Sequence, residues 1–162
     1  MPGESNSEFV ALLPGAYSLP DGPGGADTAP HLIGSRCRAC GATVFPKMAV
    51  CPACRAADTM AATPMGTSGR LYTFTIAHVA PRGFEAPYFQ AFVDIPEGPR
   101  IFSLISSEVP VEAGALQDGM ALELVIEPVG DTPDGKPILT YKYRPAGKHR
   151  PVADAAAAPA GA

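Results

Sequence analysis

Tryptophan is absent, histidine occurs three times and cysteine four times in this chain of 162 residues. Each scarcity removes a class of function. No apolar run approaches the length needed to cross a bilayer as a helix. The N-terminus shows no secretory signal pattern, so the expected localisation is cytoplasmic and no membrane partner is expected. Neither G-x-G-x-x-G nor G-x4-G-K-[ST] occurs, so the usual glycine-rich phosphate cradles are missing. His31, His78 and His149 lie far apart in the chain. His78 ends a strand with no nucleophile placed beside it, as general-base chemistry would need. No carboxylate pair suggests acid–base work, and Glu123 and Glu127 read as solvated on an outer strand face.

The four cysteines that are present form one pattern, Cys37-x2-Cys40-x10-Cys51-x2-Cys54. Two intervening residues let each pair form a tight knuckle, and ten allow a short hairpin that returns the second knuckle opposite the first. Four thiolates meeting at a point suit a tetrahedral Zn²⁺ site with Zn–S near about 2.3 Å. Gly41 follows the first pair, where left-handed backbone is needed, and Pro52 restricts the second. Two disulfides would use the same residues, but they are rare in a reducing compartment. A tandem of two such pairs is not the pattern of a redox dithiol. Rubredoxin-type iron shares all four ligands and stays open. A site closed by four protein ligands is structural rather than catalytic, so no catalytic residue is assigned.

Proline (19) and glycine (17) are abundant, which argues for short strands and many turns rather than a helical bundle. Residues 1–30 read as an N-terminal arm and linker, with an apolar cluster at Phe9–Leu13 and a loop from Pro20 to Asp27. The arm is either disordered or packed on a neighbouring domain or partner. Residues 31–65 read as the zinc ribbon, with strands at 31–36 and 43–46, Phe45 capping the small core over the metal, and an Ala-rich connector from 55. From Gly69 the pattern changes to period two. Strands are expected at 71–78, 88–94, 100–106, 121–127 and 138–143. Tyr72, Phe74 and Phe92 read as core, and Leu122, Leu124 and Ile126 as inward. Five strands in so short a span, with the longest gap between the third and fourth, suit an OB-type Greek-key barrel over 66–146. Residues 147–162 read as a disordered tail. The fold class is mostly β: a rubredoxin-like zinc ribbon, then a five-stranded OB-fold barrel, with an N-terminal arm. A ribbon this short needs the metal as a staple.

Charge narrows the partners. The net charge is −4. Residues 31–60 hold Arg36, Arg38, Lys47 and Arg55 against Asp58, whereas residues 66–145 hold six bases against ten acids. A phosphate backbone calls for a positive surface, so nucleic acid is not the expected partner of the barrel. A single phosphate group could still sit near the ribbon cations or near Arg82 in the loop 80–87.

The run Leu32–Gly41, then Val44-Phe45-Pro46-Lys47, Cys51–Cys54 and Gly69–Thr75, closely resembles the DUF35 family of zinc-ribbon/OB-fold proteins, over about residues 30–146. Leu13-Pro14-Gly15 and the Leu-Ile-Gly-Ser-Arg lead also look like small subunits of thiolase-type complexes. The resemblance implies a non-catalytic accessory subunit of a thiolase-fold enzyme acting on acyl-CoA, in a hetero-oligomer where the large subunit carries the reacting groups. It implies a role in assembly and in shaping the CoA or acyl-chain channel. On that reading Lys47, Arg36 and Arg82 are candidates for contacts to the nucleotide of CoA, and Phe84 and Tyr88 for wall or interface residues. The alternative is a free-standing acyl-CoA-binding or nucleic-acid-binding OB module.

Overall fold

The computed structural model describes residues 8–19 and 29–147, and among these there is no helix. The linker expected around 20–27 and most of the expected tail lie outside the described residues. Nine strands make two sheets. The short β1 (Val10–Ala11) comes from the arm, and β2 (Leu32–Cys37), β3 (Thr43–Val44) and β4 (Met60–Met65) make the ribbon sheet. Then β5 (Ser68–Ala77), β6 (Tyr88–Asp94), β7 (Arg100–Ile105), β8 (Ala121–Asp131) and β9 (Pro137–Pro145) make the barrel.

The ribbon sheet has the order β3-β2-β4. Residues read as the end of an Ala-rich connector form β4, which pairs antiparallel along the whole of β2, from Leu32↔Met65 to Cys37↔Met60. Pro64 lies opposite Ile33 in this ladder. The Ile33 amide donates away from β4, to Ala16 O at 2.7 Å. The pair is therefore a non-hydrogen-bonded one, and a proline without an N–H fits it without losing a ladder bond.

The five later strands close on themselves. β5, β6 and β7 form an antiparallel meander, β7 runs parallel to β9 at Leu104↔Lys142 and Ile105↔Tyr143, and β8 joins β9 to β5. That circuit is the OB-fold barrel expected from the alternation. β1 lies parallel to β9 at Val10↔Ile138 and Ala11↔Leu139, beside the short β7–β9 seam.

Inward residues follow period two: Phe89, Ala91 and Val93 on β6, Ile101, Ser103 and Ile105 on β7, Leu122 and Leu124 on β8. β5 breaks that parity. A register shift between Leu71 and Thr73 puts a bulge at Tyr72, so Leu71, buried at 1 % exposure, and Phe74, packed on the core, both point inward although three residues apart, while Tyr72 is 50 % exposed. The expectation that Tyr72 and Phe92 are core is corrected: both face outward, Phe92 by plain alternation between the buried Ala91 and Val93, whereas Phe74 packs on the core. Ile76 lies on the face of Phe74, opposite the buried Phe89, though it is 36 % exposed. One extra residue in a strand swaps every face downstream of it.

Ribbon, arm and barrel share one core. Leu32 and Met65 from the ribbon and Ala16 and Tyr17 from the arm join the barrel cluster. The buried Tyr143 donates its hydroxyl to Gly66 O at 2.7 Å, and Tyr17 donates to Leu139 O at 2.7 Å. Phe45 turns its ring edge-on to Tyr141, centroids 5.5 Å apart, so it ties the ribbon to the barrel. The arm's anchors are Ala16 and Tyr17, whereas Leu12 and Leu13 stay half exposed.

Candidate functional site

The two cysteine knuckles are near copies of each other. The Gly41 amide donates to Cys37 O at 2.9 Å, and the Arg55 amide donates to Cys51 O at 2.9 Å. The Cys37 amide donates to Ala42 O, and the Cys51 amide to Ala56 O. Gly41 and Arg55 occupy the same left-handed position, with φ of 78° and 61°. Glycine is expected there; in the second knuckle an arginine adopts it.

The four Sγ atoms lie within 4.8 Å of one another. Cys37 and Cys54 approach to 3.7 Å, and Cys40 and Cys51 to 3.6 Å. Four sulfurs at about 2.3 Å from a central ion would be separated by about 3.8 Å, so the set has the size of a tetrahedral zinc site. Cys37 and Cys51 are buried; Cys40 and Cys54 face solvent. The Thr59 hydroxyl, 3.3 Å from Cys37 Sγ, and the Cys40 and Ala39 amides hold the Cys37 thiol down to about 6. The Cys54 and Ala53 amides lower Cys51. The Ala42 amide pulls Cys40 down, but the neighbouring Cys51 and Cys54 sulfurs and burial outweigh it and push it to about 12. Thiols this close cannot all ionise unless a cation sits between them. The donor set therefore fits structural zinc, held by Cys37, Cys40, Cys51 and Cys54.

The second feature is a cavity of about 710 Å³ in the side of the barrel. Leu12 and Leu13 of the arm, Phe84 and Tyr88 of the β5–β6 loop and Phe102 and Leu104 of β7 supply much of its apolar wall. That loop is pinned: a Cβ on Gly130, at the β8 bulge, would collide with the Gly83 carbonyl. The floor is polar. Lys142, 4 % exposed, donates to Pro128 O at 2.7 Å and Ser107 Oγ at 3.1 Å, and stands 3.5 Å from Glu127 Oε2. Burial pushes the Lys142 pKa down, and Glu127 opposes that shift. Ser106 Oγ donates to Glu127 Oε1 at 2.7 Å. Glu127 is thus the partner of a buried cation rather than a solvated outer charge. Glu85 and Asp131 also border the cavity.

The structure separates the residues that the sequence grouped as CoA contacts. Phe84 and Tyr88 border the cavity, whereas Arg82 is exposed in the same loop and is not part of the wall. Arg36 is exposed on β2, and Lys47 is exposed beyond β3, its Nζ beside Gly15. Among the described residues none of these three cations forms an ion pair. Lys142 escaped the sequence reading because a lysine between two strand tyrosines looks like a solvated outward residue.

Comparison with known proteins follows the same division. Residues 26–59 match the family model described as ChsH2, rubredoxin-like zinc ribbon domain, and residues 62–127 match ChsH2, C-terminal OB-fold domain. The benzoylsuccinyl-CoA thiolase subunit BbsA of Thauera aromatica is 34% identical over 116 residues, covering 72% of this chain and 77% of that protein. A DUF35 domain-containing scaffold protein of Methanocaldococcus jannaschii is 36% identical over 117 residues, covering 70% of this chain and 81% of that one. Among solved structures, a chain of the Ltp2-ChsH2(DUF35) aldolase superposes with a TM-score of 0.58 at 26% identity, covering 72% of this chain and 86% of that one.

Proposed function

From the premise that this chain belongs to the DUF35 family of zinc-ribbon/OB-fold proteins, we propose that it is a non-catalytic accessory subunit of a hetero-oligomeric enzyme. Its partner on this reading is a thiolase-fold large subunit acting on an acyl-CoA. The observation that carries the reading is the closed metal centre: every cysteine is a zinc ligand, which leaves no thiol for acyl transfer. The names of the relatives point the same way, since two of those compared are a thiolase subunit and an aldolase component.

Within the complex, Arg36 and Lys47 are the candidates for the phosphates of CoA, supported by their exposure and their lack of acidic partners among the described residues. Arg82 is the candidate on the barrel side, and Phe84 the candidate wall residue. The complex would work in the cytoplasm, where the four thiols stay reduced and available to the metal. A nucleic-acid module is disfavoured by the acids of the barrel.

Co-expression with a thiolase-fold large subunit from the same source, followed by size-exclusion chromatography and metal analysis, tests this. The expected result is one peak holding both chains with about one zinc per copy of this chain. Acyl-CoA turnover appears only in that peak. A lone, monodisperse protein that ignores the large subunit, or one that turns over acyl-CoA alone, overturns the reading.

A further inference from the structure

The outward face of the β5–β6–β7 meander is unusually apolar for a solvated sheet. Tyr72, Phe92 and Phe102 are 50%, 43% and 48% exposed. Phe92 and Phe102 are direct cross-strand partners, with rings 5.7 Å apart and tilted by 67°. Tyr72 shares this face because it follows the inward Leu71, and the bulge sets it with Thr73 against the outward Phe92. Val79, 84% exposed, follows β5 in the loop to β6.

The charges around the patch are already occupied. Arg100 makes a two-point contact with Asp94, at 2.7 and 3.1 Å, while its guanidinium lies 3.2 Å from the Tyr72 ring centre. Arg70 donates to Gly119 O. At the other end the face runs through Phe102 and Leu104 into the cavity, whose rim carries Glu85 and Asp131. Aromatics on this face of an OB barrel could stack nucleobases, but the nearby guanidiniums are committed and the rim is acidic. The surface suits an apolar, uncharged protein face: aromatic anchors at the centre, and an ion pair that needs nothing from the partner.

Resting on the function proposed above, we propose that this face, centred on Tyr72, Phe92 and Phe102, is where the large subunit docks, through an uncharged apolar surface of its own. A partner seated there also covers the mouth of the cavity, because Phe102 belongs to both.

The test uses the co-expressed complex. Phe92→Lys with Phe102→Lys removes the apolar centre at two exposed positions. A second variant, Phe102→Thr, replaces the aromatic ring by a small β-branched side chain that a strand accepts and serves if the first misfolds. Met48→Lys with Val50→Lys, exposed on the ribbon, is the control. The double barrel variant should keep its zinc and its cooperative melting. It should lose co-elution or bind at least about tenfold more weakly, since central anchors carry most of an interface. The ribbon control should bind within about twofold of wild type, in line with the small energies of peripheral contacts. Between about 0.1 and 0.5 M NaCl the affinity should change by less than about threefold, because no ion pair crosses the interface. Unchanged co-elution of the barrel variants, an equal loss in the ribbon control, or a steep salt dependence overturns the docking face while leaving the accessory role intact. A wild-type homodimer that the barrel variant abolishes, with complex formation preserved, gives the face to a second copy of this chain and also overturns it. Failure of the wild type to co-elute overturns the accessory role itself.

Discussion

Between Leu32 and Met65 the ribbon buries those two side chains, Ser35 and two cysteines, Cys37 and Cys51. The barrel, from Ser68 to Pro145, buries Leu71, Phe89, Val93, Ile101, Leu122, Leu124 and Tyr143, with Ile95, Ile105, Leu116 and Leu139 among others around them. One region converges on a point defined by four sulfurs; the other closes a circuit of strands around apolar side chains. The order of the metal knuckles is local, since their hydrogen bonds span four or five residues. The barrel's order depends on pairings such as Ser68↔Glu123 and Leu104↔Lys142. A short segment can therefore be held by a metal where it is too small to be held by burial.

The largest break in this comparison should come from the metal. Cys51→Ser, or a strong zinc chelator, should abolish zinc binding and unfold the ribbon; binding free energies of structural zinc run to about 10 kcal/mol or more. Hydrogen exchange should show β2 and β4 losing protection while β6 and β7 keep most of theirs. If the barrel strands exchange as fast as the ribbon, the two regions are one cooperative unit and the contrast collapses. The second break is on the barrel side. Leu122→Ala should cost about 2–5 kcal/mol, the usual range for a fully buried leucine. Zinc content should remain unchanged in metal analysis, and loss of zinc there would again merge the two regions.

The smallest expected effect sharpens the comparison at its joint. Tyr143→Phe removes the hydroxyl that Gly66 O accepts and should cost about 1–3 kcal/mol in chemical denaturation, the price of an unsatisfied buried carbonyl. Burial raises the Tyr143 phenol above its ordinary value and raises Tyr141 to about 12. An unfolded tyrosine ionises near pH 10, so between pH 10 and 12 the unfolded chain holds fewer protons than the folded one. Stability is fully present below pH 10 and falls as pH rises through that window. The variant should show a shallower alkaline decline than wild type; an identical slope would show that Tyr143 does not report on the joint.

The same contrast explains what could be read from the chain. Cys37, Cys40, Cys51 and Cys54 declare a metal centre because ligand spacing is a local property. The barrel strands were legible where alternation holds, as in Leu122-Glu123-Leu124, and failed where one bulge at Tyr72 inverts the faces. β4 was invisible because Met60-Ala61-Ala62-Thr63-Pro64-Met65 has no alternation and only Thr63 as a β-former, and its long pairing with β2 makes it a strand. Lys142 was missed because its partners, Ser107 and Pro128, lie 35 and 14 residues away, and no spacing rule links them.

The proline in β4 has a consequence for the chain before it meets any partner. β4 is an outer strand of the ribbon sheet, carries no charge, and is built from the small and apolar residues that let strands of separate molecules stack. Because Ile33 directs its amide toward Ala16, Pro64 turns its nitrogen to the free side of β4. A neighbouring molecule trying to extend the sheet finds no donor there. An orphan copy is thus guarded against polymerising along its ribbon during the interval between synthesis and assembly.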